Sequence, residues 1–170
     1  MMAATAGDVK VPRAQRDRMR SQRREQMSTE SNKALVRHLI DEAQNRGNIA
    51  AVDEIAAPTF VNHSAPPGMS SDREGLKQLT LLFRQAFPDG VMTVEDMLAE
   101  GDLVATRKTF RGTHQGPFMG LAPTGKQVEI GLIDIVRVVD GRVTEHWNAV
   151  DNLGLLQQLG VFPPPGQAPG

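Results

Sequence analysis

At Gly90 the chain changes its period. Upstream, apolar residues recur at helical spacing: Leu35, Val36, Leu39, Ile40 and Ala43 between Lys33 and Arg46, then Leu76, Leu79, Leu82, Phe83 and Ala86. Downstream they alternate, in four runs: Val91 to Glu100, Leu103 to Gly112, Val128 to Val139 and Val143 to Asp151. Alternation is the period of a half-buried strand. Helices first and an antiparallel meander afterwards is an α+β order. It predicts a bent antiparallel sheet with three N-terminal helices packed on its concave side, enclosing a pocket for a small organic molecule.

Local signals place the ends of these elements. Gly47 follows the first helix where a left-handed cap belongs. A short second helix is expected from Ile49 to Ala57, capped by Asn48 and stopped by Pro58, with Thr59 to His63 extended after it. Ser71-Asp72-Arg73-Glu74 reads as a capping box, with Ser71 as the cap, and Pro88-Asp89-Gly90 ends the third helix. Gly101-Asp102 and Asp140-Gly141 mark tight turns between strands. Asp151-Asn152 can cap a last short helix through Leu159, closed by Gly160.

A length of 170 residues fits one domain, placed at 31–162. Apolar residues are 39% and charged residues 23%, the balance of a globular protein, and with aromatics at only 4% the interior should be aliphatic. The absence of cysteine excludes disulfides, thiolate metal sites and a cysteine nucleophile. No apolar run approaches the roughly 20 residues that span a bilayer, so the expectation is a cytoplasmic protein without membrane contact. Residues 1–26 hold seven Lys/Arg against Asp8, Asp17 and Glu25, a net of +4, which leaves −5 for the remainder of a chain of net −1. That stretch has no aromatic to stack on bases and almost no apolar face. Residues 1–30 are therefore expected to be a disordered basic leader, not a nucleic-acid arm, and the Pro/Gly segment 163–170 a disordered tail.

Gly120-Leu-Ala-Pro-Thr-Gly125-Lys126 has the spacing of a phosphate-binding loop, but Gln127 stands where a Ser or Thr should hold magnesium, and a strand follows instead of a helix. The four histidines show no paired metal spacing, so no metal site is expected. The Asp140-Gly141 hairpin can close in two ways. A two-residue loop sets Asp134 opposite Trp147. A three-residue loop with a glycine bulge sets Asp134 opposite His146, places Thr144 and Asn148 on that same face, and brings Arg137 and Glu145 together diagonally on the other, so it is preferred. One face then reads Ile130, Leu132, Asp134, Val136 and Val138 beside Thr144, His146, Asn148 and Val150. A carboxylate within reach of a histidine and an amide on an apolar wall suits acid/base chemistry on a carbon acid. Burial would raise the Asp134 pKa and His146 would oppose that rise. Asp134 and His146 are accordingly the catalytic candidates, against the reading that they form a satisfied buried pair. Asp151 reads as a helix cap. His114 is either a lid residue over the pocket mouth or a solvent-facing loop residue; His63 stands between pocket and surface; Trp147 is core or interface.

Gly112-Thr113-His114-Gln115-Gly116-Pro117-Phe118-Met119-Gly120-Leu121-Ala122-Pro123-Thr124-Gly125-Lys126, with Asp140-Gly141 and Gln158-Leu159-Gly160 downstream, resembles the SnoaL-like polyketide cyclases. The likeness spans about Lys33 to Phe162. It implies the cone-shaped α+β barrel shared with nuclear transport factor 2 and ketosteroid isomerase, and cofactor-free aldol closure of a ring in an anthracycline precursor with an aspartate as acid/base. Independently of it, the other sheet face, bearing Ile133, Ile135, Val139 and Trp147, is apolar enough to predict a homo-oligomer, a dimer first of all. Asn62, His63, His114, Phe118, Trp147 and Asn148 become the substrate-binding candidates. The family's catalytic aspartate position falls on Asn148, and a position often held by histidine falls on Asp134. An amide cannot take up a proton at neutral pH, so either Asp134 moves the proton or the chemistry differs. Relatives that act as polyketide hydroxylases, and ketosteroid isomerases whose carboxylic acid donates to an oxyanion from the Asp134 position, give the two other implied roles. The last alternative is a non-catalytic, ligand-binding, dimerising module.

Overall fold

The computed structural model describes residues 12–163. Helix α1 (Arg13–Leu39) runs without a break into a π-helical turn, Ile40–Asn45. Positions 13–30, expected in a disordered leader, are thus helical; no Gly or Pro interrupts 13–46, so nothing stops the helix from propagating. The expectations for 1–11 and 164–170 lie outside the described residues. Gly47 closes the turn with φ of 74°. Then come α2 (Ala50–Ile55), β1 (Ala56–Asn62), α3 (Arg73–Ala86), β2 (Val91–Glu100), β3 (Leu103–Thr113), β4 (Gln127–Val139), β5 (Arg142–Val150) and α4 (Asn152–Leu159).

The strands form one open sheet in the order β1-β5-β4-β3-β2. It is mixed, not purely antiparallel, because β1 joins the edge parallel to β5. Pro58 sits inside β1, exposed, where the register is irregular; an edge strand tolerates a residue that cannot donate. Asp72, not Ser71, caps α3, accepting from Gly75 N–H at 3.0 Å. Asn48 caps nothing; it donates to Glu42 instead. Asp151 caps α4 through Gly154 N–H at 2.8 Å, as expected.

Two apolar clusters flank the sheet's inner face. One joins Val36, Leu39, Ile40, Val52, Ile55 and Phe60 to Val104, Val136, Val138 and Val143. The other joins Ala86, Phe87, Phe110, Val128, Ile130, Leu132, Leu155 and Leu159. Between them α3 and the sheet leave a cavity.

The β4–β5 hairpin takes neither expected register. Asp140 (φ 49°) and Gly141 (φ 71°) make a two-residue loop from Val139 to Arg142, but Thr144 is an extra residue between the Val138–Val143 and Arg137–Glu145 pairs. This bulge moves Asp134 opposite Asn148 and Val136 opposite His146. The slip from the preferred register is two residues. Since side chains alternate with a period of two, the face is kept while the partner changes.

Candidate active site

The cavity between α3 and the sheet holds about 120 Å³ and is walled by Leu76, Leu79, Phe83, Phe87, Phe110 and Leu132. Its polar end is built by Gln44, Lys108, Asp134, His146 and Asn148. Alternation along β4 turns Asp134 inward with Leu132 and Val136, and β5 brings His146 and Asn148 to the same side. The sequence reading thus placed three of these five together.

Lys108 is the residue it missed. The side chain is only 1% exposed and donates to Asp134 Oδ2, and its ammonium also lies 3.2 Å from Gln44 Oε1. The signal was present: Val104, Thr106 and Phe110 are buried on β3, so the two-residue period points Lys108 inward as well. Gln44 had no comparable signal, because it is the π-helical turn that carries it toward the sheet.

Lys108 also reverses the expected electrostatics. Burial pushes the Asp134 carboxyl up, but the Lys108 charge, the His146 hydrogen bond and the Lys108 hydrogen bond outweigh it and hold the group down at about 2. The ion pair with Lys108 thus favours the carboxylate form of Asp134 and speaks against the protonated, oxyanion-donating role. Its Oδ1 is buried without a hydrogen-bond partner among the described residues. His146 Nε2 lies 3.5 Å from Asp134 Oδ2, and Nδ1 lies 3.1 Å from Asn62 Oδ1.

Asn62 is 3% exposed, and its Oδ1 also accepts from Ser64 N–H at 3.0 Å. That amide N–H can only meet an oxygen, so the Asn62 orientation is settled and His146 Nδ1 must be a donor. Ser64 Oγ in turn accepts from Asn148 N–H at 2.9 Å, leaving the Asn148 side-chain amide at the cavity wall with no hydrogen bond among the described residues.

The other candidates lie elsewhere. His63 and Trp147 do not line the cavity: their rings stack at 4.6 Å and 7° on the outer face, where His63 Nε2 meets Glu145 at 2.8 Å. His114 is neither a lid nor solvent-facing. It is fully buried, accepting at Nδ1 from Thr124 N–H at 3.2 Å and packing on Phe87 at 5.4 Å. Phe118 packs edge-on against Phe83 at 5.2 Å and Phe87 at 5.4 Å, behind the cavity wall. Gln115 N–H and Gly116 N–H both donate to Ala86 O, which clamps this loop onto the end of α3. Lys126, from the phosphate-loop look-alike, donates to Leu159 O at the end of α4. Among the described residues no three His, Asp or Glu side chains converge as metal ligands, and no helix is long and apolar enough to cross a membrane.

An open α+β sheet wrapped by helices, with a polar cluster in the wall of an apolar cavity, defines a pocket protein of the nuclear transport factor 2-like fold. The family model of the SnoaL-like polyketide cyclases matches residues 34–159, and the chain belongs to that family. It is 28% identical to the nogalonic acid methyl ester cyclase of Streptomyces nogalater over 69% of this chain and 90% of that one. Among solved structures, IdmH from Streptomyces antibioticus, a proposed polyketide cyclase, is 41% identical with a TM-score of 0.67, covering 76% of this chain and 98% of that one. AclR from Streptomyces galilaeus, a proposed hydroxylase, is 34% identical with a TM-score of 0.72, over 80% and 85%.

Proposed function

We propose that the chain is a cofactor-independent ester cyclase that closes a ring in a small aromatic polyketide by an intramolecular aldol reaction, with Asp134 and His146 moving the proton. One observation carries this reading: a carboxylate, an imidazole and a free amide meet in the wall of an otherwise largely apolar cavity. The pair takes the proton from an activated carbon, and the electron pair stays on the substrate as an enolate. Asn148 donates to the oxygen where that charge gathers. The enolate carbon attacks a carbonyl of the same molecule, and the proton returns to the new alkoxide. The likeness to a methyl ester cyclase supports an ester-bearing polyketide as substrate.

The likeness to AclR, together with an amide at Asn148 where the resemblance expects an acid, favours hydroxylation as the second reading. Product mass separates the two. The chain incubated with an anthraquinone methyl ester bearing a β-keto side chain should yield an isomer of unchanged mass, seen by liquid chromatography and mass spectrometry. A product with one added oxygen would move hydroxylation ahead, and tight binding with no product would leave a ligand-binding module.

A homodimer belongs to the same reading. Ile133, Ile135 and Val139 are exposed on the outer sheet face beside Trp147, an apolar area that a second copy would cover. Light scattering at micromolar concentration should give twice the monomer mass; a purely monomeric species would refute the dimer.

A further inference from the structure

Besides Asp134, six polar side chains line the cavity: Lys108 from β3, His146 and Asn148 from β5, Gln44 from the π-helical turn, and Thr80 and Arg84 from α3. Arg84 is committed elsewhere, donating to the carbonyls of Gln44 and Asn45 at 3.2 and 2.8 Å. Among the described residues Asp134 is the only acid lining the cavity. Its Oδ2 serves both neighbours, accepting from Lys108 and facing His146 Nε2 at 3.5 Å.

The histidine is constrained at its other nitrogen. Nδ1 donates to Asn62 Oδ1, so the hydrogen bond that lowers Asp134 comes from Nε2–H of the imidazolium, and the neutral ring carries its lone pair on Nε2, beside the carboxylate. A carboxylate already locked by an ammonium can stabilise an imidazolium without taking its proton.

We propose that Lys108 is a positioning residue for the ring closure: by fixing Asp134 as a carboxylate, it leaves His146 Nε2 as the atom that takes up and returns the substrate's proton. This rests on the proton-transfer reading above. The balance is complete without any co-reactant. The carbon–hydrogen bond breaks toward Nε2 and its electron pair becomes the enolate. The new carbon–carbon bond places negative charge on the attacked oxygen, and Nε2 returns the proton there. Asp134 and Lys108 keep their charges throughout, which spares the cavity a change of ionic state in the pair that burial makes hardest to rearrange.

The test uses the full chain labelled at the aspartate carboxyl carbons and the histidine ring nitrogens, titrated by nuclear magnetic resonance from about pH 4 to about pH 9. In the wild type the Asp134 carbon should stay flat, and Nε2 should be the His146 nitrogen that gains and loses its proton. In Lys108→Met the Asp134 carbon should move in step with His146, and the acid limb of kcat/KM should move up by about one pH unit or more. A merely structural Lys108 would lower stability while leaving the Asp134 signal and the pH profile of the surviving protein unchanged, and that result would overturn the proposal. So would an Asp134 carbon that titrates in the wild type, or a mobile proton at Nδ1; the wild-type titration decides even if Lys108→Met does not fold. Failure of the underlying reading looks different: Asp134→Asn and His146→Ala would fold and close the ring at the wild-type rate, whatever the titration gives.

Discussion

The sheet separates two trios of the same chemical make-up. Inside stand His146, Asp134 and Lys108; outside, His63, Glu145 and Arg137. The inner side chains are 12%, 10% and 1% exposed, the outer ones 39%, 31% and 34%. The outer trio is geometrically the better bonded, with His63 at 2.8 Å and Arg137 at 2.7 Å from Glu145. Its hydrogen bonds to His63 and Arg137 lower the Glu145 pKa, but water competes for every one of these contacts. The inner trio is packed among Leu and Phe side chains and is almost closed to solvent, so each charge depends on the others. Burial, more than the identity of the groups, makes one trio a candidate machine and the other a surface decoration.

The largest expected effect comes from breaking the inner trio. Asp134→Asn should lower kcat/KM on a ring-closing substrate by about 10²–10⁴-fold. It also strands the Lys108 cation, so chemical denaturation should show a loss of about 3–5 kcal/mol. Replacing both partners, Lys108→Met with Asp134→Leu, should recover most of that stability and none of the activity. Full stability in the single variant would mean that the pair is not coupled and that the comparison with the outer trio fails.

A pH series sharpens the same point. Because the folded-state pKa of Asp134 is depressed, its contribution is present above the unfolded value of 3.8 and is lost as pH falls toward about 2. This amounts to about 2 kcal/mol. Glu42, Asp53, Asp72, Asp89, Glu129 and Glu145 are lowered as well and share the acid limb. The difference between wild type and Asp134→Asn isolates Asp134: the wild type should lose stability more steeply below about pH 4.

Asn148→Asp tests the amide. It sets a second carboxylate directly opposite Asp134, so one of the two must be held protonated. A stability cost of about 1–3 kcal/mol is expected, with ring closure raised or unmasked because the new acid can return the proton. Unchanged or reduced cyclisation in a folded variant would count against the proton-transfer reading of this end of the cavity. The smallest effect belongs outside. Glu145→Gln should shift the thermal midpoint by no more than about 2 °C and leave kcat/KM unchanged; a loss of activity would show that the sheet does not insulate the two faces.

Much of this arrangement was legible before any coordinates. The change of period at Gly90 located all four long strands within a residue or so of their observed ends, and the alternation on β4 and β5 put Asp134, His146 and Asn148 on one face. Each of these rests on local geometry: which way a side chain points depends only on its position along its own strand. Thr144 could not be read as a bulge, because the extra residue is stabilised by pairing across strands, not by the residue itself. Lys108 went unnoticed for another reason. A lysine on an apolar face is read as exposed until an anion is known to be within reach, and the anion lies 26 residues away on the neighbouring strand.

The sequence by itself therefore determined the order of the long strands and of the helices before them, the turns that need a left-handed residue at Gly47, Gly141 and Gly160, and the inward face of β4 and β5. These follow from short-range sterics and periodicity, which act along the chain. The tertiary structure alone decided that β1 pairs in parallel with β5 and brings Asn62 to His146, and that His63 stacks outside. It also decided that Lys108 reaches Asp134 and, with His146, holds its carboxyl below the ordinary value despite burial. Those outcomes depend on distances between residues far apart in the chain, and on how much water the packed helices exclude from between them.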